Sequence, residues 1–552
     1  MLRLSELSLP LDHAPGALRD AIVTRLKISD ADLLDFHIFK RSYDARKKNS
    51  VILFVYTIDL NLRDEAAVLQ RCGDDRHLGP APDTRYRFVA QAPAPLPQRP
   101  IVVGFGPCGL FAALLLAQMG LRPIVLERGQ SVRQRTQDTW ALWRKRILTA
   151  ESNVQFGEGG AGLFSDGKLY SQIKDPHFYG RKVMQEFVNA GAPLEILYVN
   201  KPHIGTFRLT TVVAALREDI IALGGEVRFA SKMTRLVLEG DQVEGVMLES
   251  GETLASRHVV LALGHSARDT FRALHEQGVF IEPKPFALGF RIEHPQTQID
   301  RARLGNYAGN PALGAADYKL THQCSNGRAV YSFCMCPGGT VVAATSEAGR
   351  VVTNGMSQYS RNERNANAGI VVGIDPVRDF PGDVLAGMAL QERLEAHAYV
   401  LGGSDYSAPG QLVGDFLKDR ASTRLGEVQP SYQPGVKLTN LASALPDYAI
   451  AAIREALPQF GRQIHAFDRW DAVLTGVETR TSSPIRITRD ADTLQSRNIR
   501  GLYPAGEGAG YAGGILSAGV DGIRVAQAIA MDLVGTSGRN QQQGDTLGDV
   551  EV

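Results

Sequence analysis

Three glycines, Gly104, Gly106 and Gly109, separate an apolar stretch from an apolar helical segment in IVVGFGPCGLFAALLLAQMG. In this G-x-G-x-x-G pattern the first glycine makes a tight turn, the second lets the backbone approach a pyrophosphate, and the third lets the helix pack on the strand. A second apolar stretch ends at Glu127, whose carboxylate can accept hydrogen bonds from ribose hydroxyls. The pattern predicts a dinucleotide site, the alternative being a glycine turn without a ligand. The candidate ligand residues are Gly104, Gly106, Pro107, Cys108, Gly109, Glu127 and Arg128.

A second glycine-rich segment, FGEGGAGLFSDGKL, occupies residues 156–169. Its glycines leave backbone N–H groups open, which suits contact with a diphosphate and with a flat ring. The alternative is a flexible surface loop. The candidate cofactor ligands are Gly159, Gly160, Gly162, Ser165, Asp166, Gly167 and Lys168, and Lys168 is also a candidate catalytic residue.

Two later segments also join a strand to a glycine turn. In HVVLALGHSARDTF, residues 258–271, an apolar strand ends at Ala262 to Gly264. In GLYPAGEGAGYAGGI, residues 501–515, a strand runs into Gly506 and Glu507, and a helix follows whose N-terminus favours anions. The alternative for this segment is a glycine-rich packing seam. The candidate ligands are Ala262, Gly264, Gly506, Glu507, Gly513, Gly514 and Ile515.

Cys334 and Cys336 lie in a predicted strand, where side chains two residues apart point to the same face. Three interpretations stay open: a buried structural pair, a redox-active pair beside a cofactor, and a metal site completed by His322 and Cys324. The spacing of these four possible ligands along the chain is unusual for a zinc site, so we predict no metal site. Both cysteines are candidate catalytic residues.

Arg480 and Arg486 flank a Thr-Ser-Ser segment and could bind an anionic substrate or a cofactor phosphate. Arg480 is therefore a further candidate catalytic residue. The alternative is a structural role, with Glu478 and Asp490 as available ion-pair partners. Acid–base candidates, each with a structural alternative, are His203, His265 and His294.

The charge balance gives no overall attraction to nucleic acid or to an anionic membrane. The 552 residues contain 60 Lys plus Arg and 59 Asp plus Glu. The basic stretch KRSYDARKK, residues 40–48, could contact RNA, although a solvated hairpin tip is the simpler interpretation. The apolar run 110–119 is shorter than the ~20 residues that span a bilayer. With five cysteines and no signal-peptide pattern, we expect a cytoplasmic protein without a membrane partner.

The order of predicted elements indicates an α/β protein of several domains. Residues 1–90 follow a β-α-β-β-α-β order, typical of a ferredoxin-like domain, with the last strand at 86–90. A proline-rich linker at 91–99 follows. We predict a first cofactor segment at 100–275, an inserted β-rich substrate domain at 276–495, a second cofactor segment at 496–534 and a disordered tail at 535–552.

Several longer motifs resemble one family. They are GEGGAGLFSDGKL, PHIGT, KPFALGFRIEHP, YSFCMCPGG, NGMSQYSRNERNANAG, ETRTSSPIRI and YPAGEGAGYAGGI. The family is the long bacterial FAD-dependent dehydrogenases, also called NAD(P)/FAD-dependent oxidoreductases, whose substrate is generally unassigned. The glycine fingerprint with the distant Gly506-Glu507 pair resembles the glutathione-reductase-type FAD domain, in which aspartate is commoner at the second position.

This resemblance covers the chain except its tail, and it implies FAD, a discontinuous Rossmann-like FAD domain and an inserted substrate domain. We therefore predict a flavin-dependent oxidoreductase that acts on a small molecule. Because the chain has one dinucleotide fingerprint, NAD(P)H, if it is the donor, is expected to bind transiently. Two alternatives stay open: an RNA-modifying or RNA-binding flavoprotein, and a non-catalytic FAD redox sensor. The sequence leaves the substrate and the oligomeric state open.

Overall fold

The computed structural model describes residues 1–45, 51–92 and 98–534. Most of the predicted linker and the whole predicted tail therefore lie outside the described residues. The N-terminal part contains β1 Leu2–Pro10, α1 Ala17–Leu26, β2 Leu33–Asp44, β3 Leu53–Leu62, α2 Glu65–Cys72 and β4 Leu78–Pro80.

These N-terminal strands form one antiparallel sheet in the order β2-β3-β1-β4. The β-α-β-β-α-β order agrees with the sequence pattern, but the last strand is β4, and the prediction of a strand at 86–90 is wrong. The aromatic residues of that stretch contact another part of the molecule instead: Gln527 donates a hydrogen bond to the Tyr86 hydroxyl at 3.0 Å, and the Tyr86 ring meets that of Tyr179.

The next part of the chain alternates strands and helices. Its elements are β5 Ile101–Val103, α3 Pro107–Gln118, β6 Ile124–Leu126, α4 Val132–Lys145, α5 Tyr179–Asn189, α6 Thr206–Ala222, β7 Glu226–Arg228, β8 Met233–Glu239, β9 Gln242–Leu248, β10 Thr253–Ala255, β11 Val259–Leu261, α7 Arg268–Glu276 and β12 Ile281–Pro283.

The remaining part is richer in strands. Its elements are β13 Phe286–Pro295, α8 Gln296–Leu304, β14 Thr321–Gln323, β15 Ala329–Ala343, β16 Thr353–Ser357, β17 Asn365–Ile374, α9 Pro376–Asp379, α10 Ala386–Leu401, β18 Ala408–Leu412, α11 Val413–Leu417, β19 Val436–Leu438, α12 Asp447–Gln463, β20 Val473–Glu478, β21 Ile485–Ile487, β22 Leu502–Pro504 and α13 Ile515–Val534.

A parallel sheet in the order β22-β11-β5-β6-β7 joins the second and the last parts of the chain. The strands β22, β11, β5 and β6 are apolar and almost entirely buried, as expected when helices cover both faces, whereas the edge strand β7 is half-buried. The apolar helix α3 is buried on all sides and packs against α13. β7 is the edge strand of this parallel sheet, and the next three strands form a separate antiparallel sheet in the order β10-β9-β8.

An eight-stranded sheet, in the order β14-β15-β17-β13-β20-β18-β19 with β16 on β15, forms from residues between Phe286 and Glu478. Its apolar face packs on α12 and forms a large buried cluster. β12 pairs with β21, which brings the two ends of this segment together. The structure thus confirms the mixed α/β class, while the domain boundaries stay a prediction. No helix of the described residues is long and apolar enough to cross a bilayer.

Candidate functional site

Four strands of the parallel sheet end at one edge, where open α/β sheets bind their ligands. Gly104 follows β5 and Glu127 follows β6. Gly264 lies just beyond β11, and Gly506 lies just beyond β22. A cavity of about 1030 Å³ opens at this edge and continues toward β15.

Most of the predicted site residues line this cavity. They are Gly104, Gly106, Pro107, Cys108, Glu127, Arg128, Gly160, Gly162, Ser165, Asp166, Lys168, Ala262, Gly264, Cys334, Arg480, Gly506, Glu507, Gly513, Gly514 and Ile515. Four predicted residues do not line it: Gly109, Gly159, Gly167 and Cys336.

The glycines of the first motif are required by close backbone approaches. Gly104 has φ +98°, and a Cβ there would lie 2.3 Å from the Ala262 carbonyl oxygen. A Cβ on Gly109 would lie 1.9 Å from the Gly104 carbonyl oxygen. Gly109 therefore serves the contact between α3 and its strand, which explains why it does not line the cavity. Gly159 and Gly167 likewise face protein atoms, near Leu163 and Gly205 respectively.

The N-terminus of α3 faces the cavity. Gly106 precedes the helix and Pro107 is its first residue, and no side chain caps this end. Unpaired N–H groups and the helix dipole at such an end favour an anion. This end of the cavity can accept a phosphate group.

Glu127 is 4% exposed, and backbone N–H groups hold its carboxylate. Oε2 accepts from Phe105 at 2.9 Å, and Oε1 accepts from Gly129 at 2.8 Å and from Gly157 at 2.9 Å. Since a carboxylate offers about four acceptor positions, one remains for a ribose hydroxyl.

Arg128 forms ion pairs with Glu151 and Asp269. Its guanidinium lies over the Phe156 ring at 4.1 Å. Because both acids already neutralise it, Arg128 offers the cavity a flat stacking surface rather than a free charge.

The second glycine segment joins the cavity to the β-rich part of the chain. Asp166 is 1% exposed and forms an ion pair with Arg361 at 2.5 Å. The Lys168 ammonium lies 3.7 Å from Asp166 and donates a hydrogen bond to the Met335 carbonyl. The Ser165 hydroxyl donates to the Gly162 carbonyl of its own loop. Lys168 is therefore the charged group that this segment presents next to the two cysteines.

Cys334 and Cys336 lie in the strand β15, as the sequence predicts, but the strand is irregular between them, and the expectation that both side chains share one face is wrong. Cys334 has φ 41°, and the pairing of β15 with β17 shifts register between Phe333 and Cys336. Cys334 lines the cavity, whereas Cys336 is fully buried behind it. The two side chains therefore differ in access to a ligand, although the Cys336 thiol donates a hydrogen bond to the Cys334 carbonyl at 3.3 Å.

Arg480 reaches the cavity, but its charge is paired by an acid that the sequence did not indicate. Its Nη2 lies 2.8 Å from Glu395, which is fully buried and also pairs with Arg268 at 2.7 Å. The predicted partners are wrong: Glu478 pairs with Arg291, and Asp490 accepts hydrogen bonds from its own turn. Arg480 also donates to the hydroxyl of Ser266 at 3.1 Å.

Of the three candidate histidines, only His265 lines the cavity. Its burial and the nearby charges of Arg480 and Arg268 lower its pKa to about 3, so the ring is neutral at pH 7. His203 and His294 hydrogen-bond the backbone carbonyls of other loops. At neutral pH, His265 can offer a neutral ring but not a positive charge.

The structure does not bring His322 and Cys324 together with Cys334 and Cys336 as a metal site would require. His322 and Cys324 lie next to Glu455 instead. Their candidate ligand atoms lie within 4.8 Å of one another. The Glu455 carboxylate already accepts from the Ser325 N–H and hydroxyl at 2.8 and 2.6 Å. The Cys324 thiol donates to the Ala452 carbonyl at 3.4 Å, and burial raises its pKa to about 11. These contacts dock the β14–β15 turn on α12.

The basic stretch 40–48 makes an internal contact through one of its arginines. Within the basic stretch, Arg41 lies over the rings of Phe54 and Tyr198 at 4.9 and 5.4 Å, and residues 46–48 lie outside the described part. Arg41 thus joins the N-terminal sheet to the neighbouring part of the chain.

Sequence reasoning missed several residues that build the site. The cavity wall also includes Gln155, Ser266, Tyr318 and Asn354, and Arg291 and Glu395 lie directly behind it. Arg291 lies in KPFALGFRIEHP, a motif noticed only for its resemblance. No sequence signal marks Glu395, because its partners lie more than 80 positions away in the chain.

Comparison with known proteins assigns the chain to a family. An uncharacterized protein of Clostridium beijerinckii is 47% identical over 530 residues, covering 96% of this chain and 98% of its own. Residues 285–481 match the family described as FAD-dependent protein, C-terminal domain-like. The chain belongs to the same family as the Clostridium protein, and its residues 285–481 belong to the FAD-dependent C-terminal domain family. Residues 1–61 match a domain of unknown function.

Solved structures show only a remote likeness to this chain. L-proline dehydrogenase from P. horikoshii is 13% identical, covering 79% of this chain and 94% of its own, with a TM-score of 0.33. Glycine oxidase from Geobacillus kaustophilus is 12% identical, covering 79% and 93%, also with a TM-score of 0.33. CtdE in complex with FAD is 12% identical, covering 79% and 85%, with a TM-score of 0.30. At these scores the likeness carries no conclusion about this chain.

Proposed function

We propose that this protein is a flavin-dependent oxidoreductase whose FAD lies along the cavity, with its diphosphate at Gly106 and Gly160 and its adenosine ribose at Glu127. One observation carries the proposal: a single cavity connects the uncapped N-terminus of α3 to Lys168 and Cys334. When bound, FAD supplies two-electron transfer through its ring system. The substrate is a small molecule that the β15 end of the cavity admits.

The residues present fit such a cofactor. The cavity volume, about 1030 Å³, lies at the upper end of the roughly 300–1,000 Å³ typical of ligand sites. Gly106 and Gly160 face each other there, since a Cβ on Gly106 would lie 3.5 Å from the Gly160 Cα. A Cβ on Gly513 or Gly514 would meet no atom within 4 Å. Backbone without side chains thus lines the walls where a diphosphate and a ring would lie.

We assign Lys168 and Arg480 different parts in this site. Lys168 is a charged group at the cavity wall and is the candidate to face an anionic substrate or the reduced ring. Arg480 holds Ser266 and, through Glu395, the loop that carries His265. We therefore propose Arg480 as a positioning residue and no longer as a catalytic one.

Purified protein is expected to be yellow and to release FAD, not FMN, on denaturation. The reason is that we place the adenosine ribose at Glu127, and FMN has no adenosine. Chromatography of the released flavin with mass detection tests this. Release of FMN alone, or a colourless protein that does not bind added FAD, would contradict the proposal.

NAD(P)H is proposed as a transient donor that meets the flavin at the open part of the cavity. Rapid mixing of the FAD-loaded protein with NADH or NADPH in the absence of oxygen should bleach the flavin absorbance, with dithionite as the positive control. Bleaching by dithionite only would exclude the nicotinamide donor and leave the flavin assignment intact.

The stability of the FAD-free protein is expected to fall as pH rises from about 5 to 8, in part through Glu507. Burial raises the pKa of Glu507 to about 7, from an ordinary value of 4.5. The folded protein keeps this proton over a range in which the unfolded chain has lost it. The free energy of unfolding therefore decreases with pH, by on the order of 2 kcal/mol after allowance for its partial exposure.

The matched variant is Glu507→Gln, which cannot ionise. Urea unfolding of FAD-free wild type and variant at pH 5 and pH 8 isolates the contribution of this one group, because the other titrating groups cancel in the difference. We expect the difference in the free energy of unfolding, variant minus wild type, to increase from pH 5 to pH 8. An unchanged difference would mean that Glu507 titrates normally.

A further inference from the structure

The β15 strand is interrupted at its two cysteines. In a regular strand, residues two apart are separated by about 6.7 Å, whereas a disulfide needs Cβ atoms about 3.8 Å apart. Here Cys334 has φ 41°, and the register with β17 shifts before Cys336. A non-glycine residue with positive φ is uncommon, and such strain concentrates at functional sites. The interruption lets the Cys336 sulfur approach the Cys334 carbonyl to 3.3 Å.

Two cations hold this segment through its carbonyl oxygens. The Arg291 guanidinium donates to the Cys334 carbonyl at 2.9 Å, and Lys168 donates to the Met335 carbonyl. Arg291 is fully buried and stays charged because Glu478 pairs with it. Neighbouring cations favour the thiolate, which is the reactive form of cysteine.

The two thiols differ in charge as well as in position. The Cys336 thiol, together with Lys168 and Arg291, lowers the pKa of Cys334. The contact with Cys334 and burial raise the pKa of Cys336. Cys334, which lines the cavity, is thus the thiol that ionises more readily, and Cys336 behind it is the thiol that holds its proton more firmly. An accessible thiolate next to a resolving thiol is the arrangement of redox-active cysteines.

We propose that Cys334 and Cys336 form a reversible dithiol–disulfide couple that exchanges two electrons with the flavin in the same cavity. This rests on the proposed function, because FAD is the oxidant. In the oxidising direction the Cys334–Cys336 S–S bond forms and the Cys336 S–H bond breaks. The two electrons and that proton pass to the oxidised flavin. The reverse step regenerates the thiolate and the thiol.

An electron count tests the couple without a substrate. FAD-loaded, air-oxidised protein is titrated with dithionite in the absence of oxygen while the flavin absorbance is followed. A connected disulfide shares the electrons, so complete bleaching should need four electrons for each flavin. Cys334→Ser and Cys336→Ser should need two, a twofold decrease, and Cys72→Ser, which leaves the pair intact, should still need four.

Counting free thiols in the wild-type protein tests the same disulfide, and it needs no variant that could fail to fold. The chain has five cysteines, so the denatured oxidised protein should show three free thiols, two fewer than after reduction. Bleaching complete at two electrons, or five free thiols in the oxidised protein, would overturn the couple while the bound flavin still upholds the proposed function. Protein that binds no flavin would instead overturn the proposed function.

Discussion

Gly106→Val is expected to leave the purified protein with less than a tenth of the wild-type FAD content. Gly106 has φ −76° and ψ −176°, an extended conformation that valine adopts without strain. The added side chain would project toward Gly160, whose Cα lies 3.5 Å from the Cβ position. The methyl groups would press on the Gly160 backbone and distort the cavity wall where we place the diphosphate, at the N-terminus of α3.

The flavin-to-protein absorbance ratio measures this loss, and the circular dichroism spectrum reports the fold. Gly16→Val is the matched control, because a Cβ on Gly16 meets no atom within 4 Å and this residue lies in the N-terminal part, outside the cavity lining. A substitution of Gly109 would not be a useful test of FAD binding, since its Cβ would collide with the backbone and disturb folding. Normal FAD content in the Gly106 variant would place the cofactor elsewhere.

Glu395→Ala is expected to lower the free energy of unfolding by about 3–5 kcal/mol, the cost of leaving buried charges without their partner. The Glu395 carboxylate is fully buried and pairs with both Arg268 and Arg480. Without it, the Arg480 guanidinium would lose its ion-pair partner, and Arg268 would keep only Glu347, at 3.3 Å.

Urea unfolding of the FAD-free proteins measures the change. The matched control is Glu392→Ala on the same helix, α10, because Glu392 is 18% exposed and pairs with Arg272, which is 45% exposed. We expect the control to lose less than about 1 kcal/mol. Similar losses in both variants would show that Glu395 does not hold the two arginines, and would return Arg480 to the candidates for substrate binding.

Local sequence was sufficient to predict which residues lie at the edge of the sheet that carries the candidate site. Glycines and acids directly after apolar strands, as at Gly104, Glu127 and Gly506, meet in space because parallel strands align their carboxyl ends. The β-α-β-β-α-β order of the N-terminal part followed in the same way from local periodicity. The use of these residues by FAD stays a prediction that the Gly106 variant tests.

The tertiary structure alone decided which charged and sulfur-containing groups meet. Strand periodicity placed Cys334 and Cys336 on one face, but the register shift against β17 separates a cavity-lining cysteine from a buried one. The partner of Arg480 is Glu395, 85 positions away, and not the nearby Glu478. Spacing along the chain determines which residues follow a strand. Contacts between distant segments depend on how the sheets pack, and local sequence patterns do not predict that packing.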